Sequence, residues 1–173
     1  MLVLVSEKMG TGSAGLGWFY AARGLGTAIG PIVGRRFFKD ESKWMRLIGF
    51  CCFVAGLSYG IVGYSQILPL MLLFLVVAHA SSGINWVMTT VLLQKRTPDE
   101  FRGRVFSAEW LSFTLAQSIS VFVASSLLDS NTLPLGETFL AFAAGFILFG
   151  LLWLAIFIPG ENRYYKKLKQ AAA

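Results

Sequence analysis

The chain is 173 residues long, 55% hydrophobic and only 14% charged, with a formal net charge of +6 and a mean hydropathy of +0.65. A water-soluble domain carries nearer a quarter of its residues charged, so this chain lacks the charge to cover a water-facing surface, and a soluble globular class is excluded. The basic excess is spread over short connections rather than gathered in a compact basic domain, which argues against nucleic acid as a partner.

The N-terminal Met1 to Val5 is apolar and the run Ser6 to Gly12 reads as loop. With no basic start and too short an apolar stretch for a signal peptide, these residues read as the last turn of a helix whose earlier part lies outside this sequence. A first span follows at 14–36. It is glycine-rich and carries Arg23, about nine residues or roughly 14 Å inside. An arginine near mid-membrane costs about 2.5–3.5 kcal/mol on insertion scales and faces a cavity or a partner, which makes Arg23 a candidate for the substrate or ion pathway. Gly26, Gly30 and Gly34 recur every four residues, a stripe on which helices approach closely.

From Leu47 to Gln94 there is no charged residue at all. A helix of that length would run roughly 72 Å, against a hydrocarbon core of about 30 Å. The run therefore folds back, at Gly63-Tyr64-Ser65-Gln66 with Pro69 beyond, giving spans at 45–63 and 67–94. The adjacent Cys51 and Cys52 read as small packing residues. His79 and Asn85 lie midway along the third span, and membrane-buried polar side chains are functional candidates by default. Gly56-Leu57-Ser58-Tyr59-Gly60 with His79 also resembles the serine and histidine of rhomboid-type intramembrane proteases. A depth mismatch of roughly 10 Å between Ser58 and His79 disfavours that alternative, because such a pair must lie within hydrogen-bond reach.

The stretch QKRTPDEFRGRVFSAEW, residues 94–110, packs seven charges between two uncharged runs. Thr97 as N-cap, Pro98 at the first helical position and Glu100 at the third predict a capping box, with Asp99 and Glu100 favoured by the helix dipole. The fourth helix thus starts in the cytoplasm, with Arg102 and Arg104 at the membrane surface, and the charged patch, Gly103 included, reads as a cytoplasmic gating loop between two spans. Glu109, one turn further in, is placed to pair with a basic residue of a neighbouring loop in one gating state. The fourth span, 105–128, carries Ala108, Ser112, Ala116, Ser120 and Ala124 at four-residue spacing, with Gln117 a weaker pathway candidate. After the polar tip Asn131-Thr132-Leu133-Pro134 comes a fifth span at 138–159. The tail 160–173 sets Tyr164 and Tyr165 beside Arg163, Lys166, Lys167 and Lys169, an interfacial anchor on anionic lipid.

These elements predict an all-α integral membrane protein: five transmembrane helices forming a single membrane domain. Basic residues crowd the first loop, the third loop and the tail, while the opposite connections hold only Lys8. Lys and Arg mark the cytoplasmic side, so the expectation is a multi-pass protein of the plasma (inner) membrane with a cytoplasmic C-terminus. Nothing in the sequence calls for a metal or a cofactor.

The segment Pro98-Asp99-Glu100-Phe101-Arg102-Gly103-Arg104-Val105, set between two membrane helices, resembles the loop joining the tenth and eleventh helices in exporter-type members of the major facilitator superfamily. Gly30-Pro31-Ile32-Val33-Gly34-Arg35-Arg36 is similar to that family's Gly-x-x-x-Asp-Arg/Lys cytoplasmic motif, with Gly34 where the acid stands. The resemblance covers essentially the whole chain and makes it the eighth to twelfth helices, a partial C-terminal half of the fold. It implies a secondary transporter of two six-helix halves working by alternating access. It also implies efflux of a small-molecule substrate, protons as a candidate coupling ion, and no enzymatic activity. The partners implied are the lipid bilayer and the missing N-terminal half, in the same or a separate chain. The small-residue stripes around Gly26, Gly30 and Gly34 and around Ser112, Ala116 and Ser120 would face that half. The alternative from another class is a stand-alone five-span subunit without transport activity.

Overall fold

A computed structural model describes residues 2–129 and 133–171, without the side chains of 4, 129, 164–169 and 171. Met1, the loop tip Asn131-Thr132 and the side chains of Tyr164, Tyr165, Lys166, Lys167 and Lys169 therefore lie outside the described residues. The described chain is all-helical: α1 (Leu2–Lys8), α2 (Gly12–Phe37), α3 (Trp44–Tyr64), α4 (Leu68–Arg96), α5 (Asp99–Asp129) and α6 (Leu135–Ala171). A single 3₁₀ turn, Glu41–Lys43, precedes α3.

The five long helices match the five predicted spans, with one qualification. The segments Glu41–Tyr64, Leu68–Arg96, Asp99–Leu128 and Leu135–Arg163 are long and apolar enough to cross a membrane. The 26-residue α2 is long enough but not apolar enough, because glycine replaces larger apolar side chains along it and Arg23, Arg35 and Arg36 interrupt it. The lipid-facing character of the rest is plain from its surface: Phe122 is 73% exposed, and Leu111, Ile119, Leu148 and Ile156 also stand outward. Large apolar side chains at such exposure are stable only where hydrocarbon replaces water.

The helices form a row, α2 against α4, α4 against α3, and α3 against α6. Two different small-residue seams hold it together. On α2, Gly26 approaches Val76 and His79, Gly30 lies on the backbone of Ala80, and Gly34 faces Ile84. Both sequences advance by four, so the two helices run parallel in the manner of the Gly-x-x-x-Gly contact. In return, Gly83 of α4 sits where a Cβ would lie 2.8 Å from Thr27 O. The α3–α6 seam is antiparallel and advances by seven. Gly49 meets Gly150, Gly56 meets Ala143, and Gly63 meets Gly136; a Cβ on Gly56 would lie 2.8 Å from Ala143 O. A seven-residue repeat keeps one stripe facing its partner along a left-handed pair.

The α2 glycine stripe therefore packs inside the chain, against α4, and not outward as the resemblance implied. Lipid offers no hydrophobic drive between helices, so dispersion between close backbones has to serve, and α4 supplies the matching small surface. The α5 stripe behaves differently. Ser112, Ala116 and Ser120 are exposed, as is nearly the whole helix, and α5 makes only slight contact with α6.

Two helix ends differ from the sequence expectation. The helix of the fourth predicted span, α5, begins at Asp99, as the charged start predicts, but without the capping box. Thr97 Oγ1 donates to Leu93 O at 2.7 Å, back into the end of α4. Among the described residues Glu100 makes no return bond, and Phe101 N closes the first turn onto Pro98 O at 3.0 Å. The sixth helix continues through Pro159 to Ala171 instead of ending at 159. Charge marks where the apolar stretch ends, not where the backbone hydrogen bonding does, and a helix leaving the membrane can continue in water.

Candidate functional site

Near the middle of the bundle a cavity of about 470 Å³ is lined by Arg23 and Tyr20 of α2, Tyr59 of α3, His79 of α4 and Phe139, Phe142 and Phe146 of α6. Tyr59 is the hub. Its hydroxyl shares a hydrogen bond with His79 Nε2 at 2.9 Å. Its ring stacks on Phe146 with centroids 5.9 Å apart and meets the His79 imidazole edge-on at 6.0 Å. His79 reaches this position because Gly26 lets α4 approach α2; a Cβ on Gly26 would lie 2.9 Å from His79 Cβ. Arg23 is exposed toward the cavity, and among the described residues it enters no ion pair.

Of the predicted pathway residues, the structure brings Arg23 and His79 together and leaves the other two apart. Asn85 lies about 9 Å further along α4. Its Nδ2 donates to Ile48 O at 3.4 Å and approaches Cys52 Sγ at 3.6 Å, while its buried Oδ1 has no partner among the described residues. It joins α4 to α3 rather than lining the cavity. Gln117 is exposed on α5. Tyr59 is the residue that sequence reasoning missed. Residue count from the turn sets Tyr59, like Ser58, roughly 10 Å from His79 in depth, so spacing gave no signal; the bond is made by the tyrosine hydroxyl at the end of its long side chain.

The protease alternative loses its geometry here. Ser58 is 2% exposed and donates to Val54 O of its own helix at 2.7 Å, while His79 is engaged with Tyr59. Cys51 and Cys52 are buried free thiols. Among the described residues no cluster of His, Cys, Asp and Glu is arranged to hold a metal ion.

A second polar constellation closes one end of the bundle. Arg96, at the end of α4, grips Glu161 of α6 with both guanidinium nitrogens, Nη1 to Oε2 at 3.0 Å and Nη2 to Oε1. Glu161 is only 8% exposed. Lys95 pairs with Glu41 in the turn before α3, so the ends of α3, α4 and α6 are tied at one level. In the predicted gating segment Arg102 pairs with Asp99 at 2.8 Å, and its buried Nε has no partner among the described residues. Gly103 and Arg104 are exposed. Glu109 is half-buried and shares with Arg96 and Ser112 the lining of a cavity of about 580 Å³ between α4, α5 and α6. Trp86 of α4 meets Trp110 and Phe113 of α5 edge-on, at 5.7 and 5.5 Å. The sequence reading placed Glu109 near such a cation but did not find Glu41 or Glu161, whose partners lie 54 and 65 residues away.

The chain is thus an apolar helical row with small-residue seams, a cavity holding a few polar side chains within it and ion pairs across one end. No curated protein and no solved structure gives a significant match to the chain. The family model described as Major Facilitator Superfamily matches residues 1–173. Helices, motifs and family model agree, and the chain is a membrane-embedded member of the major facilitator superfamily.

Proposed function

We propose that the chain is part of a secondary active transporter that exports a small molecule by alternating access, with Arg23, Tyr59 and His79 in its substrate or ion pathway. The observation that carries this reading is the convergence of those three side chains, from three helices, on one cavity inside an otherwise apolar span region. An unneutralised arginine at that depth is costly unless function uses it. In this reading the chain forms one membrane domain of the plasma membrane, with residues 160–173 a cytoplasmic tail. A further set of helices, in the same or a separate chain, completes the central site. The loop of Thr97, Pro98, Asp99, Glu100, Arg102, Gly103 and Arg104, together with Glu109, acts as the cytoplasmic gate. The Arg96–Glu161 and Lys95–Glu41 pairs, which gather three helix ends at that level, support this assignment. Protons are the candidate coupling ion, with His79 the titratable group in the cavity.

The test starts from cells lacking the chain, in which the substrate is the small molecule that accumulates and is cleared when the wild type is restored. Arg23→Gln and Tyr59→Phe are expected to abolish clearance while membrane abundance stays at the wild-type level. Unchanged clearance in both variants, or a loss of abundance that accounts for the lost clearance, overturns the reading. A His79→Gln variant with an unaltered pH profile of efflux removes protons from the coupling.

A further inference from the structure

The connection from α2 to α3 carries charge that the transport reading does not use. At that end of the bundle a groove of about 670 Å³ opens between α2 and α4, with Ile32, Val87 and Val91 along it and Arg35, Lys39 and Trp44 at its mouth. Ile32 is 69% exposed in it, so the groove is open to the bilayer side rather than closed over.

The cations at the mouth lack local counter-charges. The turn holds two acids, and each is engaged elsewhere. Asp40 accepts from the Ser42 hydroxyl at 2.6 Å and the Ser42 amide at 3.1 Å and pairs with Lys43 at 3.4 Å. Glu41 pairs with Lys95. Among the described residues neither Arg35 nor Lys39 enters an ion pair. Gly34 shapes the floor: a Cβ there would lie 3.3 Å from Ile84 Cγ1, so a larger residue would narrow the groove beside Arg35. Trp44 donates from Nε1 to Phe38 O at 2.8 Å. That bond holds at the rim an amphipathic ring of the kind that sits at headgroup level.

The geometry points to a binding site for one anionic phospholipid, its acyl chain along Ile32, Val87 and Val91 and its phosphate on Arg35 and Lys39. A soluble anion would use the two cations and leave the apolar groove to be filled by something else; a phospholipid satisfies both parts at once. Basic pockets between membrane helices are a recurrent way of holding such headgroups. The leaflet concerned follows from the cytoplasmic topology proposed above, but the binding itself does not depend on it.

The experiment is native mass spectrometry of the protein extracted as its native membrane assembly, titrated with phosphatidylglycerol or with phosphatidylcholine of the same acyl chains. Two juxtamembrane cations predict a roughly thirtyfold preference for the anionic lipid. Arg35→Gln with Lys39→Gln is expected to reduce that preference to within about threefold, and Gly34→Asp, which adds a carboxylate at the same place, to do likewise. Lys8→Gln, at an exposed basic position in the connections on the opposite side, is expected to leave it unchanged. Equal retention of both lipids by the wild type, an undiminished preference in both altered proteins, or displacement of the lipid by inorganic phosphate overturns the proposal. Transport activity does not enter the readout, so failure here and failure of the transport reading are separate results.

Discussion

Gly24 and Gly30 lie on the same helix, and the structure gives them opposite responses to one added methyl group. A Cβ on Gly24 meets nothing within 4 Å. Gly24→Ala is then free to express the helix preference of alanine, about 0.5–1 kcal/mol. At Gly30 the new carbon would fall inside the contact distance of Ala80 O, 2.9 Å from Ala80 C and 3.0 Å from Ala80 Cα. All three are backbone atoms of α4 and cannot rotate aside, so α2 and α4 must part along the seam. Overpacking of this kind costs about 1–3 kcal/mol, and an unyielding neighbour places it at the upper end. Setting alanine's helix preference against it leaves a net destabilisation of about 2 kcal/mol. For a chain of this size that corresponds to a Tm lower by about 4–8 °C, while Gly24→Ala raises Tm by about 1–4 °C. Thermal unfolding of the purified protein in one detergent, followed by circular dichroism, reads both. If Gly30→Ala is no less stable than Gly24→Ala, the parallel glycine seam between α2 and α4 is not what holds these helices together.

Two further outcomes follow from the charged end of the bundle. Glu161→Gln leaves the partly exposed Arg96 guanidinium without its carboxylate and is expected to cost about 1–2 kcal/mol, less than a fully buried pair would; a double-mutant cycle with Arg96→Gln measures the coupling, and a coupling near zero refutes it. The Asp40 carboxyl is held below its ordinary value of 3.8, chiefly by the Ser42 hydroxyl and then by the Ser42 amide. A lowered folded-state pKa contributes stability that is present above the unfolded value and lost as pH falls through the folded one. The Ser42 amide resonance is therefore expected to hold steady at neutral pH and to move only below pH 3.8, and to lose that titration in Asp40→Asn.

The spans were legible because charge is so sparse that each uncharged run had to be helix and the long one had to turn. Predicted spans 45–63 and 67–94 stand against Trp44–Tyr64 and Leu68–Arg96. Small-residue spacing told that helices approach, but not which ones. Gly26, Gly30 and Gly34 advertise a close contact equally well to α4 or to a helix outside the chain, and only the matching four-residue advance of Val76, Ala80 and Ile84 decides it. The seven-residue seam of α3 and α6 escaped notice because its members, Gly49 to Gly63 and Gly136 to Gly150, make sense only as a pair read in opposite directions. In the cavity, Arg23 and His79 stood out as polar residues in an apolar span. Tyr59 did not, since a tyrosine is unremarkable in a membrane helix until a partner is seen across from its hydroxyl. Ion pairs such as Arg96–Glu161 join residues far apart in the chain, and composition carries no trace of them.

The order of pairing in the row has a consequence for how the protein is made. Apart from α3 with α4, the seams join helices that are not neighbours in the chain: α2 waits for α4, and α3 waits for α6. Roughly a hundred residues separate Gly49 from Gly150, and at about 5–20 residues per second the ribosome needs about 5–20 s to deliver the second after the first. For that interval the glycine face of α3 lies bare in the bilayer, open to any other small-residue helix that drifts past. A truncation before α6 leaves that face uncovered for good, so shortened chains should be drawn into foreign helix contacts and degradation rather than persist as stable four-helix remnants.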